Sequence, residues 1–438
     1  MTKNITLIIG LGTTGFSCIN FLIQKGIIPY IMDQNINPIY KNQIPKFIPY
    51  CFGMLKKKWI LHAKLIIISP GVSIFHPLLQ QAKKCGINII GDIELFCLYN
   101  TTPVVAITGT NGKSTIIKIL KQIIDTYKYN IGIGGNIGYP ALNLLSQPKD
   151  FYILEISSFQ LETIKSLHAY IAVILNITED HMDRYPLGFS QYCYYKLRIY
   201  NNSQICIYNI DDIYTYPMQF NKNTKYITFG KHHNSIYQLF DYKNNMYLKI
   251  KKKIILNFNE TKLIGIHNYL NALTVISITD ILNISRKHVL KVIKNFTNNQ
   301  HTLQTISKKN NVTWINDSKS TNVYSTIAAL KSLSISNKQK IWLLLGGYDK
   351  HCNLYLLNKY INKNNIIVYC FGLASQKILS ICPRAIKVQN MSEAIKQIYP
   401  LLCVNDIVLL SPACSSIDQF KNFKQRGQQF INIVNSLI

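Results

Sequence analysis

The residues best suited to chemistry form one short segment, Gly109-Thr110-Asn111-Gly112-Lys113-Ser114-Thr115. We call it the phosphate loop, because an apolar run at 104–107 precedes it and a helical pattern follows it. Backbone N–H groups of such a loop surround nucleotide phosphates, the lysine adds a positive charge, and a Ser or Thr hydroxyl holds Mg²⁺. The loop is a variant of the Walker consensus, which has Gly or Ala where this chain has Ile107. It predicts a nucleotide triphosphate site.

Acidic residues follow two other apolar runs of the same region. Glu155 ends the run at 152–155, and the run at 171–175 leads into Asn176-Ile177-Thr178-Glu179-Asp180-His181-Met182-Asp183-Arg184. We call this second segment, residues 176–184, the acidic loop. Ligands of α/β proteins bind at the carboxyl ends of parallel strands, and a carboxylate there is a natural partner for Mg²⁺. Beside the phosphate loop, His181 and its acidic neighbours indicate a second cation position; alone, they would be interpreted as a solvated loop.

A second glycine-rich segment lies near the amino terminus. Gly10-Leu11-Gly12-Thr13-Thr14-Gly15, the glycine turn, follows the apolar run Ile5–Ile9 and opens a helix predicted at 16–25. Asp33 ends the next apolar run, where a carboxylate can meet a sugar hydroxyl. Such a turn holds a diphosphate at a helix amino end or simply allows tight packing. The residues leave these two interpretations equally open.

Three further segments are ambiguous on their own residues. Lys196-Leu197-Arg198-Ile199 fits an ordinary amphipathic helix face. Residues 316–322 and 411–416 each follow an apolar run, and Asn322 is expected to cap the next helix. Both turns lie where α/β sheets bind ligands, so they are secondary candidates for a binding site.

The elements that must position these residues alternate between strands and helices throughout the chain. This alternation predicts an α/β protein with parallel sheets and helices on both faces. The predicted domains are a Rossmann-like amino-terminal domain at 1–91, a central P-loop ATPase-type domain at 92–299 and a Rossmann-like carboxyl-terminal domain at 300–438. A polar alternation near 240–259 predicts a small antiparallel hairpin within the central domain.

Composition excludes several classes of protein. The 438 residues are 48% hydrophobic, which is enough for several cores and argues against disorder. A net charge of +28 comes mainly from scarce acids, and the five arginines are not clustered, so we expect no nucleic-acid partner. Eleven cysteines without a C-x-x-C pair suit free thiols in a reducing compartment. No apolar run approaches the roughly 18 residues of a membrane span, so a cytoplasmic protein without a membrane partner is expected.

Taken together, the segments resemble the Mur ligase family, in order and over nearly the whole chain. The resemblance rests on residues 10–15, Ser69-Pro70-Gly71, the phosphate loop, Gly135-Asn136-Ile137-Gly138, residues 155–161, 178–186 and 196–199, His267-Asn268, residues 316–322, Gly346-Gly347 and residues 411–427. The block Asp418-Gln419-Phe420-Lys421-Asn422-Phe423 is similar to the branch that adds D-glutamate. The resemblance implies three domains, which bind a UDP-sugar, ATP and an amino acid, in a protein expected to be a monomer.

The resemblance also implies a two-step reaction. The alanyl carboxylate of UDP-N-acetylmuramoyl-L-alanine attacks the γ-phosphate of ATP, which gives an acyl phosphate and ADP. The amine of D-glutamate then attacks the carbonyl carbon and phosphate leaves. A carboxylate is a poor acyl donor because its leaving group would be oxide, and phosphorylation removes this obstacle. Cations offset the repulsion between the two anionic reactants.

The resemblance assigns roles to individual residues. Lys113, His181 and Lys196 would be catalytic, with Lys196 carbamylated by CO₂ into an anionic metal ligand. Ser114, Thr115 and Glu155 would hold one Mg²⁺, and His181 with carbamylated Lys196 a second. The remaining contacts would be Gly109, Thr110, Asn111, Gly112, Asn268, Asn271 and Asp317 for ATP; Thr13, Thr14, Asp33, Ser69 and Asn136 for the UDP-sugar; and Lys319, Thr321, Lys350, Ser416, Ile417 and Phe423 for D-glutamate.

This chain departs from the family pattern at three places. His301-Thr302-Leu303-Gln304 replaces the usual His-Arg-Phe-Glu, whose arginine reaches the ATP phosphates, so weaker use of ATP is expected. Asn35 replaces a basic residue common near the uridine site. Gly346-Gly347-Tyr348-Asp349-Lys350 replaces Gly-Gly-Asp-Gly-Lys, which affects the placement of Lys350.

Other functions stay open at this point. A nicotinamide-dependent dehydrogenase explains the glycine turn and Asp33 but not the phosphate loop. A catalytically weakened nucleotide-binding homologue would explain Thr302 and Gln304. A sibling Mur-type ligase or a folylpolyglutamate synthetase would share most motifs, but not the block at 418–423.

Overall fold

The computed structural model describes residues 5–127, 129–136, 138–243, 245–297, 300–333 and 339–437. Ile137, which belongs to one of the family-like segments, lies outside these ranges. The described strands form three separate sheets of five, nine and six strands, and most neighbouring strands are parallel. The predicted α/β class with three parallel sheets is therefore confirmed. The domain boundaries at 91 and 299 stay a prediction; the strands of the three sheets fall within 5–91, 104–257 and 304–413.

The amino-terminal sheet is entirely parallel, in the order β3-β2-β1-β4-β5. Its strands are β1 (Ile5–Ile9), β2 (Tyr30–Asp33), β3 (Tyr50–Phe52), β4 (Ala63–Ile68) and β5 (Asn88–Gly91). Its helices are α1 (Thr13–Gln24), α2 (Lys57–Leu61) and α3 (Pro77–Lys84), and α4 (Asp92–Tyr99) leads into the central region. The glycine turn therefore joins the middle strand β1 to α1, as the sequence predicts.

The central sheet is parallel over seven strands and antiparallel at one edge, in the order β14-β13-β12-β11-β10-β9-β6-β8-β7. Its strands are β6 (Val104–Thr108), β7 (Ile131–Gly135), β8 (Phe151–Glu155), β9 (Ile171–Ile174), β10 (Ile205–Asn209), β11 (Lys225–Gly230), β12 (Tyr237–Tyr242), β13 (Asn245–Ile250) and β14 (Lys253–Asn257). Its helices are α5 (Lys113–Tyr127), α6 (Ala141–Leu144), α7 (Ser158–Leu161), α8 (Gly188–Leu197), α9 (Ile266–Ile281) and α10 (Arg286–Asn295). The antiparallel edge has three strands where the sequence predicts a hairpin.

The carboxyl-terminal sheet has the order β15-β16-β20-β17-β18-β19, and only β15 is antiparallel to its neighbour. Its strands are β15 (Gln304–Ser307), β16 (Thr313–Asn316), β17 (Ile341–Gly346), β18 (Ile366–Phe371), β19 (Ile386–Lys387) and β20 (Ile407–Ala413). Its helices are α11 (Val323–Ser332), α12 (Asn358–Ile361), α13 (Ser375–Ile381), α14 (Met391–Ile398) and α15 (Phe423–Leu437). The Asn322 side chain accepts a hydrogen bond from the Ser325 N–H and caps α11, as predicted.

The middle strands of the sheets are buried on both faces. In β6, Val104 and Ala106 belong to one apolar core, whereas Val105 and Ile107 belong to another on the opposite face. Because side chains alternate along a strand, such a division places covering elements on both faces of the sheet. The first of these cores also contains Ile8 of β1, so the amino-terminal and central domains share continuous apolar packing.

The joint between these two domains contains buried carboxylates on α4. The Asp92 carboxylate accepts a hydrogen bond from the Gln160 side-chain amide at 3.0 Å, while its second oxygen is buried without a partner among the described residues. Glu94 accepts hydrogen bonds from the Lys165 and Ser166 N–H groups at 2.6 and 2.9 Å.

Among the described residues, no helix is long and apolar enough to cross a membrane.

Asp92→Asn is expected to stabilise the protein at neutral and higher pH. Burial raises the pKa of the Asp92 carboxyl from 3.8 to about 6. Between pH 3.8 and about pH 6, Asp92 keeps its proton in the folded chain but loses it in the unfolded chain. The wild type therefore becomes less stable as the pH rises through this range. The loss reaches about 3 kcal/mol. We expect a higher urea midpoint for the variant at pH 8 and almost none of this gain at pH 4; an equal gain at both would contradict the explanation.

Candidate active site

A cavity of about 400 Å³ lies between the central and carboxyl-terminal domains. The phosphate loop and the end of β8 form its central-domain wall, and the turns after β16 and around Thr302 form the opposite wall. The predicted site residues that line it are Thr110, Asn111, Gly112, Lys113, Ser114, Thr115, Asn136, Glu155, Asn268, Asn271, Asp317, Lys319, Thr321 and Phe423. The structure thus brings together most of the ATP set with half of the amino-acid set.

The phosphate loop is held in shape by side chains around Lys113. The Lys113 ammonium donates to the main-chain carbonyls of Gly109 and Thr110, the latter at 3.0 Å. Asn176 accepts from the Asn111 N–H at 2.9 Å, and the hydroxyls of Thr110 and Tyr192 share a hydrogen bond of 2.9 Å. Desolvation lowers the pKa of Lys113, and the nearby carboxylates oppose that shift.

Helix α9 closes against the loop at a glycine. Gly112 has a positive φ of 91°, and a Cβ built there would lie 2.5 Å from the Asn271 Oδ1 atom. A larger residue would therefore displace the Asn271 side chain and strain the backbone. Asn268 lies one turn earlier on the same helix, buried at the cavity, and its amide donates to the Ile264 carbonyl at 2.7 Å.

Glu155 places its carboxyl group beside the phosphate loop. It is fully buried at the carboxyl end of β8, and its Oε1 atom accepts from the Asn136 side-chain amide at 3.1 Å. Its Oε2 atom has no hydrogen-bond partner in the described structure. A buried carboxylate oxygen without a partner is costly unless a cation joins it. The residues present therefore fit the divalent cation that the sequence predicts.

Two adjacent residues of the acidic loop, Asp180 and His181, have different surroundings. His181 has a positive φ of 58° and its ring contacts Phe159, with ring centroids 4.9 Å apart. Desolvation lowers the pKa of His181 to about 4, even though Asp180 opposes the shift, so the imidazole is neutral at pH 7. A neutral imidazole is the form that binds a metal. His181 does not line the cavity itself, and whether it holds a cation stays a proposal.

Asp180 ion-pairs with Lys350 of the carboxyl-terminal domain. Both side chains are almost fully buried. Burial alone would raise the pKa of Asp180, but the charge and hydrogen bond of Lys350, together with His181 and Asn322, lower it to about 2. Sequence reasoning assigned Lys350 to the amino acid and gave Asp180 no role of its own, so the pairing was missed. The acidic composition of the loop was the only signal available.

Lys196 contacts the start of the phosphate loop and the end of β6 with its side-chain amine. It is buried on α8, and its amine donates to the Gly109 carbonyl at 3.0 Å and to the Thr108 hydroxyl at 3.3 Å. Burial lowers its pKa well below the ordinary value, and the Lys113 charge lowers it further. The residues alone fit an ordinary amphipathic helix face, but the structure buries the Lys196 side chain beneath the loop, where the family resemblance assigns it a role.

The carboxyl-terminal wall of the cavity is organised around Asp317. Its carboxylate accepts from the Leu303 N–H at 3.0 Å and from the Ser411 hydroxyl at 2.7 Å, and burial raises its pKa to about 6. Lys319 lies two residues later, and burial lowers the pKa of its amine to about 8 against the opposing charge of Glu155. Thr302 also lines the cavity, and its buried hydroxyl has no hydrogen-bond partner in the described structure.

The remaining predicted amino-acid residues lie on two adjoining turns. Tyr348 and Ser415 exchange main-chain hydrogen bonds of 2.9 and 2.8 Å, which places the turn with Lys350 beside the turn with Ser416. Ser416 is buried, whereas Ile417 is 65% exposed. Lys350 pairs with Asp180, which lines the cavity, whereas Ser416 and Ile417 are not among the residues that line it, so their role stays a prediction.

Side-chain amides close the cavity between the two domains. The Asn322 amide donates to the Asn111 Oδ1 atom at 3.0 Å, and the Ser325 hydroxyl donates to the same atom at 2.9 Å. Asn322 also donates to Asp180 at 3.4 Å. The capping residue of α11 therefore also contacts the phosphate loop, a second role that sequence reasoning missed.

The predicted UDP-sugar residues divide between two places. The glycine turn of the amino-terminal domain contains Thr13 and Thr14, and both Asp33 and Ser69 form hydrogen bonds with it. By contrast, Asn136 lines the cavity between the central and carboxyl-terminal domains. Asp33 accepts from the Leu11 N–H at 2.6 Å, and the Ser69 hydroxyl donates to the Gly10 carbonyl at 2.8 Å. A Cβ on Gly15 would lie 1.9 Å from the Gly10 carbonyl oxygen, so this turn requires glycine.

Comparison with known proteins agrees with this architecture. Family models match residues 4–91 (Mur ligase MurD-like, N-terminal domain), 107–279 (Mur ligase middle domain) and 303–414 (Mur ligase, glutamate ligase domain). Among solved structures, UDP-N-acetylmuramate-alanine ligase MurC from Thermotoga maritima has a TM-score of 0.62 at 16% identity, with 99% of each chain covered. MurF ligase from the same organism, in complex with ADP, has a TM-score of 0.65 at 14% identity, covering 100% of this chain and 96% of that one. At these identities the structures show the fold alone.

Curated relatives are considerably closer in sequence. The UDP-N-acetylmuramoylalanine–D-glutamate ligase of Buchnera aphidicola subsp. Schizaphis graminum is 47% identical over 428 residues, which cover 98% of this chain and 97% of the relative. The enzyme of the same name from Escherichia coli K12 is 43% identical over 436 residues, 99% of this chain and 98% of the relative. The fold, the phosphate loop and these relatives define a three-domain ATP-dependent ligase. The chain belongs to the Mur ligase family.

Proposed function

We propose that this protein joins D-glutamate to UDP-N-acetylmuramoyl-L-alanine at the expense of ATP, a step in the synthesis of peptidoglycan precursors. The observation that carries the proposal is the convergence of Lys113 and Glu155 with Lys319 and Thr321 of the carboxyl-terminal domain around one cavity. A nucleotide and an amino acid can meet there. Full-length similarity to D-glutamate ligases supports this choice of amino acid.

In this proposal the chain itself overcomes electrostatic repulsion. Phosphorylation brings a carboxylate against the triphosphate of ATP, and Lys113 lies where it stabilises charge on the transferring phosphoryl group. The acyl phosphate is then attacked by the amine of D-glutamate, and the phosphate leaves with the bonding electron pair. Lys319 lines the cavity and would offset a carboxylate of the amino acid; Lys350, which pairs with Asp180, is the second lysine proposed for this role.

The metal ligands belong to the same proposal. Ser114, Thr115 and Glu155 would hold one Mg²⁺, and His181 with Lys196 would hold a second. Mg²⁺ supplies positive charge that offsets the meeting of two anionic reactants. We propose that Lys196 is carbamylated, because burial favours its neutral amine, the form that reacts with CO₂. The product is an anionic oxygen ligand where the unmodified side chain would bring a cation.

The same proposal takes the protein to be a monomeric, cytoplasmic enzyme that acts on small molecules and not on nucleic acid. The cavity is built within one chain, and all three of the proposed substrates are small anions. The chain carries a net charge of +28, which attracts such anions over a distance.

Phosphate release tests the proposed function directly. Purified protein is supplied with ATP, Mg²⁺, UDP-N-acetylmuramoyl-L-alanine and one amino acid at a time: D-glutamate, L-glutamate, L-alanine or L-lysine. We expect release with D-glutamate alone. Release with another amino acid would identify a sibling ligase, and nucleotide binding without release would identify a non-catalytic homologue. NAD in place of ATP should leave the melting temperature unchanged.

Thr302→Arg is expected to lower the KM for ATP. Thr302 lines the cavity and carries no charge, whereas an arginine there adds a charge-assisted hydrogen bond to a phosphate. Such a bond contributes roughly 1.5–3 kcal/mol, or about tenfold to a hundredfold in affinity. Thr302→Gln, which is long but neutral, is the matched control. An unchanged KM for ATP in the arginine variant would contradict the prediction.

A further inference from the structure

Arg184 ends the acidic loop and has no part in the proposed chemistry, yet it is the most connected side chain of that loop. Its Nε and Nη2 atoms donate to the two carboxylate oxygens of Glu162 at 3.1 and 2.7 Å. Nη2 also donates to the Val72 carbonyl at 3.0 Å, and Nη1 to the Gly71 carbonyl at 3.4 Å. Only one tenth of the Arg184 side chain is exposed, and that of Glu162 is fully covered.

These partners belong to two domains. Glu162 directly follows α7 of the central domain, whereas Gly71 and Val72 lie in the turn after β4 of the amino-terminal domain. In that turn the Val72 N–H donates to the Ser69 carbonyl at 2.9 Å, and the Ser69 hydroxyl donates to Gly10 at 2.8 Å. Hydrogen bonds therefore connect Arg184 continuously to the glycine turn, where the UDP-sugar is proposed to bind.

The other end of the connection is His181. The main-chain N–H of Arg184 donates to the main-chain carbonyl of His181 at 2.9 Å. The Arg184 guanidinium lies 4.4 Å from the centre of the Phe159 ring, and the Phe159 ring in turn contacts the His181 imidazole. One side chain thus links the loop of a proposed metal ligand to the turn of a proposed substrate site.

A substrate that spans both sites makes this link consequential. Its nucleotide end is held in one domain while its carboxylate must reach the phosphate cavity in the next, so the separation of the two sites decides whether the carboxylate meets the γ-phosphate. A misplacement of about 1 Å can cost a hundredfold in rate. The planar fork of arginine suits this task because it fixes two directions at once, whereas lysine offers a single ammonium point.

We propose that Arg184 is a positioning residue that sets the distance between the UDP-sugar site and the phosphoryl-transfer site. The inference rests on the proposed function, since it assumes the long substrate. It adds a residue that touches neither nucleotide nor metal and acts through residues 69–72 and the acidic loop.

Arg184→Lys and Arg184→Ala test the proposal through separate kinetic constants. We expect kcat to fall and the KM for UDP-N-acetylmuramoyl-L-alanine to rise, so that kcat/KM for this substrate falls about tenfold to a hundredfold. The KM for ATP and the affinity for ADP should stay within about twofold of wild type. Millimolar ethylguanidinium should restore part of the activity of Arg184→Ala but not of Arg184→Lys, because only alanine leaves the space open.

Arg198→Lys is the matched control. The Arg198 guanidinium donates to the carbonyls of Leu161 and Glu162 at 2.9 and 2.8 Å, and to Ile164, all within the central domain. This variant should lower the melting temperature while leaving the KM for the UDP-sugar substrate unchanged. A purely structural role for Arg184 would make the two arginine variants behave alike.

The outcomes separate this inference from the function on which it rests. Absence of D-glutamate-dependent phosphate release by the wild type would overturn both. With an active wild type, an unchanged UDP-sugar KM in Arg184→Lys, or an equal rise in the KM of all three substrates, would overturn the positioning role alone.

Discussion

Lys113→Ala is expected to reduce the rate of D-glutamate ligation by about two to three orders of magnitude, the usual cost of removing one preorganised charge from a phosphoryl-transfer site. The Lys113 ammonium is already fixed by the carbonyls of Gly109 and Thr110, so it needs no rearrangement when charge develops on the phosphate. Alanine also leaves the phosphate loop without its own cation. Initial rates of phosphate release at saturating substrates give the effect on kcat.

Lys121→Ala is the control for this variant. Lys121 lies on the same helix, α5, but forms an exposed ion pair with Asp125 at 2.8 Å. Exposed pairs contribute little to stability, about 0–1 kcal/mol, so this substitution should leave both the fold and the rate nearly unchanged. If Lys113→Ala ligates as fast as Lys121→Ala, the phosphate loop is not the site of ATP chemistry.

Lys196→Ala is expected to lose activity by a comparable factor, about a hundredfold or more, if its carbamate is a metal ligand. The buried amine lies at 3.0 Å from the Gly109 carbonyl, directly behind the phosphate loop. Alanine removes the anionic ligand and leaves a space of similar size. A short carboxylic acid such as acetate should enter that space and restore part of the rate, because it returns an anionic oxygen ligand.

Two further measurements separate carbamylation from a packing role of Lys196. Wild-type activity should fall in CO₂-depleted buffer and return with bicarbonate, and ¹³C-labelled bicarbonate should give a carbamate signal in the NMR spectrum. Lys196→Met keeps the length of the side chain without the amine, and it should be as inactive as alanine but insensitive to acetate. Full activity of Lys196→Met would exclude the carbamate.

Much of the fold follows from simple patterns in the sequence. Runs such as 5–9 and 366–371 are strands with those bounds, because a strand buried on both faces needs uninterrupted apolar residues. The missed strands are short or atypical. β3 has three residues, β19 has two, and β7 (Ile131–Gly135) contains three glycines, which weaken the strand pattern. Their formation depends on neighbouring strands more than on their own sequence.

The part of the site that lies in one continuous segment of the sequence could be predicted from the spacing of its residues. The phosphate loop is one continuous segment, and its backbone geometry follows from glycine and the adjoining strand and helix. The burial of Lys196 is not local, because it depends on how α8 packs under the loop, and only the family resemblance pointed to it. The partners of Asp180 and Asn322 lie 170 and 211 residues away in the chain, so no motif could predict them.

The two joints between the domains differ in kind, and they therefore differ in what separating the domains would expose to water. Ile8 of the amino-terminal sheet and Leu154 of the central sheet belong to one hydrophobic core, so separating those domains would expose apolar surface to solvent. The interface between the central and carboxyl-terminal domains consists of polar groups, which include Asn111, Asn322 and the Asp180–Lys350 pair. Water can replace the hydrogen bonds that these groups make with each other. Separating the carboxyl-terminal domain from the central domain would therefore expose mainly polar groups, and would cost less free energy than separating the amino-terminal domain.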